Sequence, residues 1–318
     1  MATKNSSKTA VYGALVGNVL VAATKLGAAL WTGSASMMSE AIHSFVDTGN
    51  EVLLLYGQHR AKKPADRTHP LGYGREIYFW SFVVALLIFA LGAGISIYEG
   101  IIHIRHPEPM QRPLINYAVY GISALFEGIS WWFGWKAFSG IMGSRGIFDT
   151  VKVTKDPTTF IVLFEDSAAL IGIAIATAAT FLALRFGKPW IDGVGSICIG
   201  MVLAAVAVLL ARESKALLIG ERARPELSQA IEDIVRKAPG VIRVEGILTS
   251  QLGPDQVIAT IGVELDDNLR TPDIEQLIGR LENELRERHP DLFRVFVRPH
   301  PKQYQGDTHL LDLKPDGH

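Results

Sequence analysis

The sequence predicts an α-helical membrane protein, a bundle of six transmembrane helices followed by a small cytoplasmic α+β domain of order αββαβ. Three observations lead there. Of 318 residues 48% are hydrophobic, and mean hydropathy is +0.22 although 20% of the residues are charged, so an apolar part is joined to a polar one. Six windows reach the roughly 20 mainly apolar residues that a helix needs to cross a bilayer. Lys and Arg crowd into alternate connections between those windows, as they do on the cytoplasmic side of membranes.

The windows cover 10–31, 35–57, 77–100, 114–138, 158–184 and 190–212. The first follows a short basic N-terminus but is long enough to span, so it reads as a retained helix and not a signal peptide. Thr32, Gly33 and Ser34 allow only a tight hairpin to the second window. The connection at 58–76 carries Arg60, Lys62, Lys63, Arg67 and Arg75, and that at 139–157 carries Arg145, Lys152 and Lys155. The opposite connections hold only Arg105, Arg112, Arg185 and Lys188. This bias puts both termini in the cytoplasm.

Beyond residue 212 the pattern changes. Pro225 opens an amphipathic helix over 225–238 with Leu227, Ala230, Ile231, Ile234 and Val235 on one side. Val241–Thr249 and Val257–Glu264 read as strands around the turn-prone Gly253, Pro254 and Asp255. Thr271 and Pro272 start a second helix with Ile274, Leu277, Ile278, Leu281 and Leu285 at helical spacing, and Phe293–Val297 is a last short strand. The division is a transmembrane domain at 1–212, a cytoplasmic domain at 213–301 and a polar, disordered tail at 302–318. Net charge is −1, which gives no reason to expect nucleic acid as a partner. The single cysteine, Cys198, excludes an intramolecular disulfide and reads as a packing residue.

The second window holds the chain's most informative spacing. His43 and Asp47 lie four residues apart, about one helical turn, and so share a face. Ionisable groups at membrane depth face a bundle interior and mark ion or proton pathways, and an imidazole with a carboxylate is half a site for a divalent transition metal. Asp47 lies about ten residues from the cytoplasmic end of its span, Glu165 and Asp166 about seven from theirs, and Glu127 about eleven, which at about 1.5 Å per residue is nearly one depth. Carboxylates so placed repel one another unless a cation or protons intervene. Asn50, one turn beyond Asp47, offers an oxygen or a helix contact. Lys25 in the first window reads as a structural counter-ion to Glu40 or Glu51.

At these residues the chain resembles the cation diffusion facilitator family, six-helix proton-coupled exporters of zinc and related divalent metals. The likeness rests on the His43 and Asp47 pair, the Asp66, His69, Gly72 and Gly74 loop, Asp192 to Ser196 at the start of the sixth helix, and the αββαβ tail. Asp156 and Pro157 followed by Glu165 and Asp166, with Phe126, Glu127 and Gly128, resemble the branch containing the animal mitochondrial zinc exporter. The resemblance implies a homodimer in the lipid bilayer, paired through ferredoxin- or metallochaperone-like tails. It implies alternating access about a tetrahedral mid-membrane site with His43, Asp47 and Asp166 as metal ligands. The fourth family position is Val162 here, which cannot bind metal; Glu165, Asn50 and Glu127 are the further candidates for metal or protons. In the loop, Asp66 and His69 match ligands but the third position is Tyr73, so a loop shaping the cytoplasmic mouth is expected. Glu245, Gly262 and Arg298 stand where many members have zinc-binding histidines, leaving only His300 nearby. No zinc cluster is expected in this tail.

The expected function is export of a divalent metal, Zn²⁺ foremost, in exchange for H⁺, with no tightly bound cofactor and no enzymatic activity. Mn²⁺, Fe²⁺, Co²⁺ and Ni²⁺ are alternatives, since oxygen-rich neighbours suit harder ions. A non-transporting scaffold or partner subunit is favoured by Val162 alone. An intramembrane hydrolase lacks a His-Glu-x-x-His pair or a Gly-x-Ser-x-Gly turn. No organelle-targeting presequence is read, which points to a bacterial inner membrane.

Overall fold

The computed structural model describes residues 18–108, 112–143 and 145–300. The starting residues of the first predicted span, 10–17, and the 302–318 tail lie outside them. Each of the six windows holds a long helix: α1 (18–32), α2 (Ala35–Ala61), the run Glu76–Arg105, α5 (Pro113–Met142), α7 (Pro157–Phe186) and α8 (Trp190–Ile219). A short α6 (Ile147–Val153) precedes α7. The run 76–105 is α3 (Glu76–Leu87), a π-helical segment (Ile88–Ala93) and α4 (Gly94–Arg105). Most helices overrun their apolar windows, because helical hydrogen bonding continues into the interfacial layer after the hydrocarbon ends.

The ends follow local chemistry. Gly33 takes φ 67 in the α1–α2 turn, a left-handed conformation that side chains resist, and Ser34 caps α2 by accepting from Met37 N–H at 3.2 Å. Asp156 caps α7 at Thr158 N–H (3.0 Å) ahead of Pro157. Gly187 closes α7 with φ 64.

α2 packs on α3, α4 and α7, and α5 packs on α7. Their core includes Met37, Val84, Ile88, Phe138, Phe160, Ile161, Ile199 and Leu203. Outward faces stay apolar, with Phe89, Tyr98, Leu125, Trp132, Phe133 and Phe181 all exposed. In water so much apolar surface would drive association; lipid is the solvent that suits it. By length and composition, Glu76–Arg105, Pro157–Phe186 and Trp190–Ile219 are apolar enough to cross a membrane.

The second unit has the expected order: α9 (Pro225–Arg236), β1 (Val241–Gly253), β2 (Gln256–Leu265), α10 (Thr271–Arg288) and β3 (Leu292–Pro299). β1 pairs antiparallel with β2, and β2 parallel with β3, in sheet order β1-β2-β3. Val257, Ala259, Ile261 and Val263 alternate onto one face and meet Ile231, Val235, Leu277, Leu281 and Leu285 from the helices. The other face carries Leu248, Thr260 and Phe296 in one row.

The chain divides into residues 1–62 with 76–215, and 63–75 with 216–318. The 63–75 loop therefore groups with the tail, which the linear division at residue 212 misses. Gly74 is the reason: a Cβ there would lie 2.6 Å from Leu252 O and 2.5 Å from Gln256 Oε1, so only glycine lets the loop backbone reach β1 and β2 so closely.

Candidate functional site

α2 carries a stripe of polar side chains at helical spacing, and each finds a partner on another helix or in the bundle interior. Ser36 donates to Asp192 of α8, Ser39 shares a 2.5 Å hydrogen bond with Ser196, and Glu40 meets Lys25 of α1 at 3.2 Å. Asn50 donates to Glu165 Oε1 of α7 at 2.8 Å. Glu51 accepts from Asn18 of α1 at 2.7 Å. The stripe places His43 and Asp47 in the middle of the bundle.

His43 is 1% exposed and its Nδ1 lies 3.2 Å from Asp47 Oδ1. Apart from this contact, neither imidazole nitrogen nor Asp47 Oδ1 has a hydrogen-bond partner, and all three atoms are buried. Buried polar atoms normally have partners. An imidazole and a carboxylate that meet only each other, with His43 Nε2 left without a partner, fit a place where a cation or proton comes and goes.

Beside this pair a cavity of about 100 Å³ is lined by Asp47, Glu51, Glu127, Glu165 and Asp166, with Asn18, Ser44, Ser130 and Val162. Five carboxylates face one small space, from α2, α5 and α7. Ser130 donates to Asp166 Oδ2 at 2.8 Å, so α5 orients the α7 carboxylate. The structure thus brings Asp47, Asp166, Glu165 and Glu127 to one cavity, with His43 against Asp47 and Asn50 holding Glu165. Val162 is on the wall as an apolar group. Among the described residues, no three His, Cys, Asp or Glu side chains converge closely enough to hold a metal ion in this arrangement.

Sequence reasoning missed Ser130, Asn18, Glu51 and Ser44 as wall residues; only their helical offset from the acidic positions signals them. Of the two counter-ions considered for Lys25, Glu40 is the one it meets. The second carboxylate near it is Glu127, at 3.8 Å.

Asp66 and His69 belong to the loop that groups with the tail and not to the unit that holds the cavity. Asp66 accepts from the Tyr73 hydroxyl (2.7 Å) and from the backbone N–H of His69 (2.7 Å) and Thr68 (2.9 Å). The Tyr73 hydroxyl first, then the His69 N–H, hold the Asp66 carboxyl below the usual carboxylate range. The His69 ring lies 4.3 Å from that of Tyr73. Tyrosine in the third position thus closes the loop on itself. His300 sits over Gly262, its ring 3.3 Å from where a Cβ would be, beside Glu245.

Comparison with known proteins agrees with this architecture. The model of the cation efflux transmembrane domain matches residues 11–219, and that of the cation efflux protein cytoplasmic domain matches 223–302. The mitochondrial proton-coupled zinc antiporter SLC30A9 of Xenopus laevis is 32% identical over 267 residues, 83% of this chain and 48% of its own length. Metal tolerance protein C4 of Arabidopsis thaliana is 36% identical over 217 residues, 67% of this chain and 47% of its own. The cation-efflux pump FieF of Cronobacter sakazakii is 26% identical over 290 residues, 88% of this chain and 91% of its own. The chain spans about half the length of the first two relatives and nearly all of the third. With both domain models matched in order along almost all of its described length, the chain belongs to the cation efflux family, a family of membrane transporters and not of enzymes.

Proposed function

We propose that the protein exports a divalent transition metal, Zn²⁺ foremost, in exchange for protons, through the cavity between α2, α5 and α7. The observation that carries this reading is the buried His43 ring against the partly buried Asp47, whose carboxylate lines a cavity walled by four further carboxylates. His43, Asp47 and Asp166 are the ligands proposed for the substrate ion, with Glu165, Asn50 or Glu127 completing its shell. Metal binding needs neutral imidazole and ionised carboxylates, so protons on the far side compete for the same groups and drive release. Imidazole changes its charge in the physiological range, which lets a modest pH gradient act. An imidazole ligand favours Zn²⁺; the oxygen-rich wall leaves Mn²⁺, Fe²⁺ and Co²⁺ as alternative substrates. The relatives, a zinc antiporter, a metal tolerance protein and a cation-efflux pump, support the class of substrate.

The half-exposed Leu248 and Phe296 on the open sheet face support pairing of the tail with a second copy, a homodimer. The Lys and Arg bias supports cytoplasmic termini, and the bacterial relative an inner-membrane setting. The Asp66 and His69 loop is proposed to shape the cytoplasmic mouth. A second reading, a scaffold without transport, draws on Val162 in the cavity wall.

Proteoliposomes with an imposed pH gradient separate the two. Zn²⁺ flux that depends on the gradient and falls at least about tenfold in Asp47→Ala is expected. Folded protein that carries neither Zn²⁺, Mn²⁺, Co²⁺ nor Fe²⁺ would make the scaffold the better account.

A further inference from the structure

The five cavity carboxylates differ in what holds them. Glu51 and Glu165 take amide N–H groups from Asn18 and Asn50, Asp166 takes a hydroxyl from Ser130, and Asp47 faces the His43 ring. Glu127 alone among them faces a lysine: its Oε1 lies 3.8 Å from Lys25 Nζ. That ammonium donates to Glu40 Oε2 at 3.2 Å and to Ser44 Oγ at 2.8 Å. Two of its three protons are thus donated to Glu40 and Ser44; Glu127, at 3.8 Å, is met through charge and not through a hydrogen bond. Lys25 and Glu40 have no exposed side-chain surface, whereas Glu127 keeps 18%, toward the cavity. A simple structural ion pair between α1 and α2 would need only Glu40. The reach toward Glu127 sets the charge of the cavity wall.

We infer that Lys25 is a specificity-determining residue, a tethered cation that offsets Glu127 and withholds it from the metal, so that of the three groups offered above to complete the shell Glu165 or Asn50 remains. This rests on the reading of the cavity as the substrate's binding place. With Glu127 held, the incoming ion meets the imidazole and four hydrogen-bonded or His-paired carboxylates. Without Lys25, Glu127 becomes a free hard oxygen ligand carrying an uncompensated charge. Such a ligand tightens binding of every divalent cation, slows its release, and favours Mn²⁺ over Zn²⁺ relative to an imidazole-led site.

The test measures Zn²⁺ and Mn²⁺ uptake in proteoliposomes under a pH gradient, per folded molecule, for the unchanged protein, Lys25→Gln, Lys25→Gln with Glu127→Gln, and Asp47→Ala. Lys25→Gln is expected to lower KM for both ions, lower the maximal rate, and shift the Zn²⁺ to Mn²⁺ ratio of kcat/KM toward Mn²⁺ by about tenfold. Removing the freed carboxylate in the double variant is expected to restore the ratio, which a purely structural role would not do. If Lys25→Gln fails to fold because Glu40 is left buried without its partner, Lys25→Gln with Glu40→Gln takes its place and faces the same prediction. An unchanged KM and ratio in folded protein would overturn the assignment while leaving the transport reading intact. Full flux in Asp47→Ala would overturn the placing of the substrate at this cavity, and this inference with it, while leaving transport itself standing.

Discussion

At Val162 an isopropyl group stands in a cavity wall rich in carboxylates, one helical turn before Asp166. Replacing it with an acid adds an oxygen donor at that position. Val162→Asp is expected to tighten Zn²⁺ binding about tenfold, or ~1.4 kcal/mol, and to slow turnover, as read by calorimetry and uptake on purified protein. Unchanged affinity would mean that the ion binds elsewhere. The His43 and Asp47 pair was legible in the sequence because four residues on a helix always make one face. The meeting of Asp166, Glu165 and Glu127 was legible as a common depth. Their partners were not. Lys25 chooses Glu40 and Glu127 while Asn18 takes Glu51, and this depends on the rotation of α1 against α2 and α5, which no single-helix periodicity encodes.

At the scale of elements, the run 76–105 meets α8 through glycines. A Cβ on Gly100 would lie 2.6 Å from Gly193 O and 2.7 Å from Ile197 Cγ1, and one on Gly193 would lie 2.8 Å from Gly100 O. Backbone touches backbone here, the close approach that small residues permit between membrane helices. Gly100→Val must push α4 from α8 and is expected to cost about 1–3 kcal/mol, seen as a lower melting temperature in detergent. An unchanged melting curve would show that the two helices part freely at this point. The apolar window was readable, but neither the glycine contact nor the π-helical segment at Ile88–Ala93 was, since both shift hydrogen bonds or distances without altering hydropathy. In the tail, alternation located all three strands. β1 and β2 run further than alternation alone suggests because each completes the other's hydrogen bonds close to the Pro254 and Asp255 turn.

At the scale of the whole molecule, two units with separate cores were visible in the change of composition near residue 212; the loop that joins the tail's unit was not, because it depends on Gly74 meeting Leu252. The polar stripe of α2 has a consequence for how the protein is made. α2 is not among the helices apolar enough to cross a membrane by composition, since it carries Glu40, His43, Asp47, Asn50 and Glu51. Each charged group at the bilayer centre opposes insertion by about 2.5–3.5 kcal/mol on biological scales. A turn of only three residues, Thr32 to Ser34, joins the helices that carry Lys25 and Glu40, so these opposite charges meet inside one hairpin. Entry of that hairpin into lipid as one unit would offset the cost of both charges. A flexible Gly/Ser insertion of about ten residues after Gly33 is expected to lower the membrane-integrated fraction of α2 in cell-free translation, because closing a longer loop costs more entropy. An undiminished fraction would mean that α2 enters on its own.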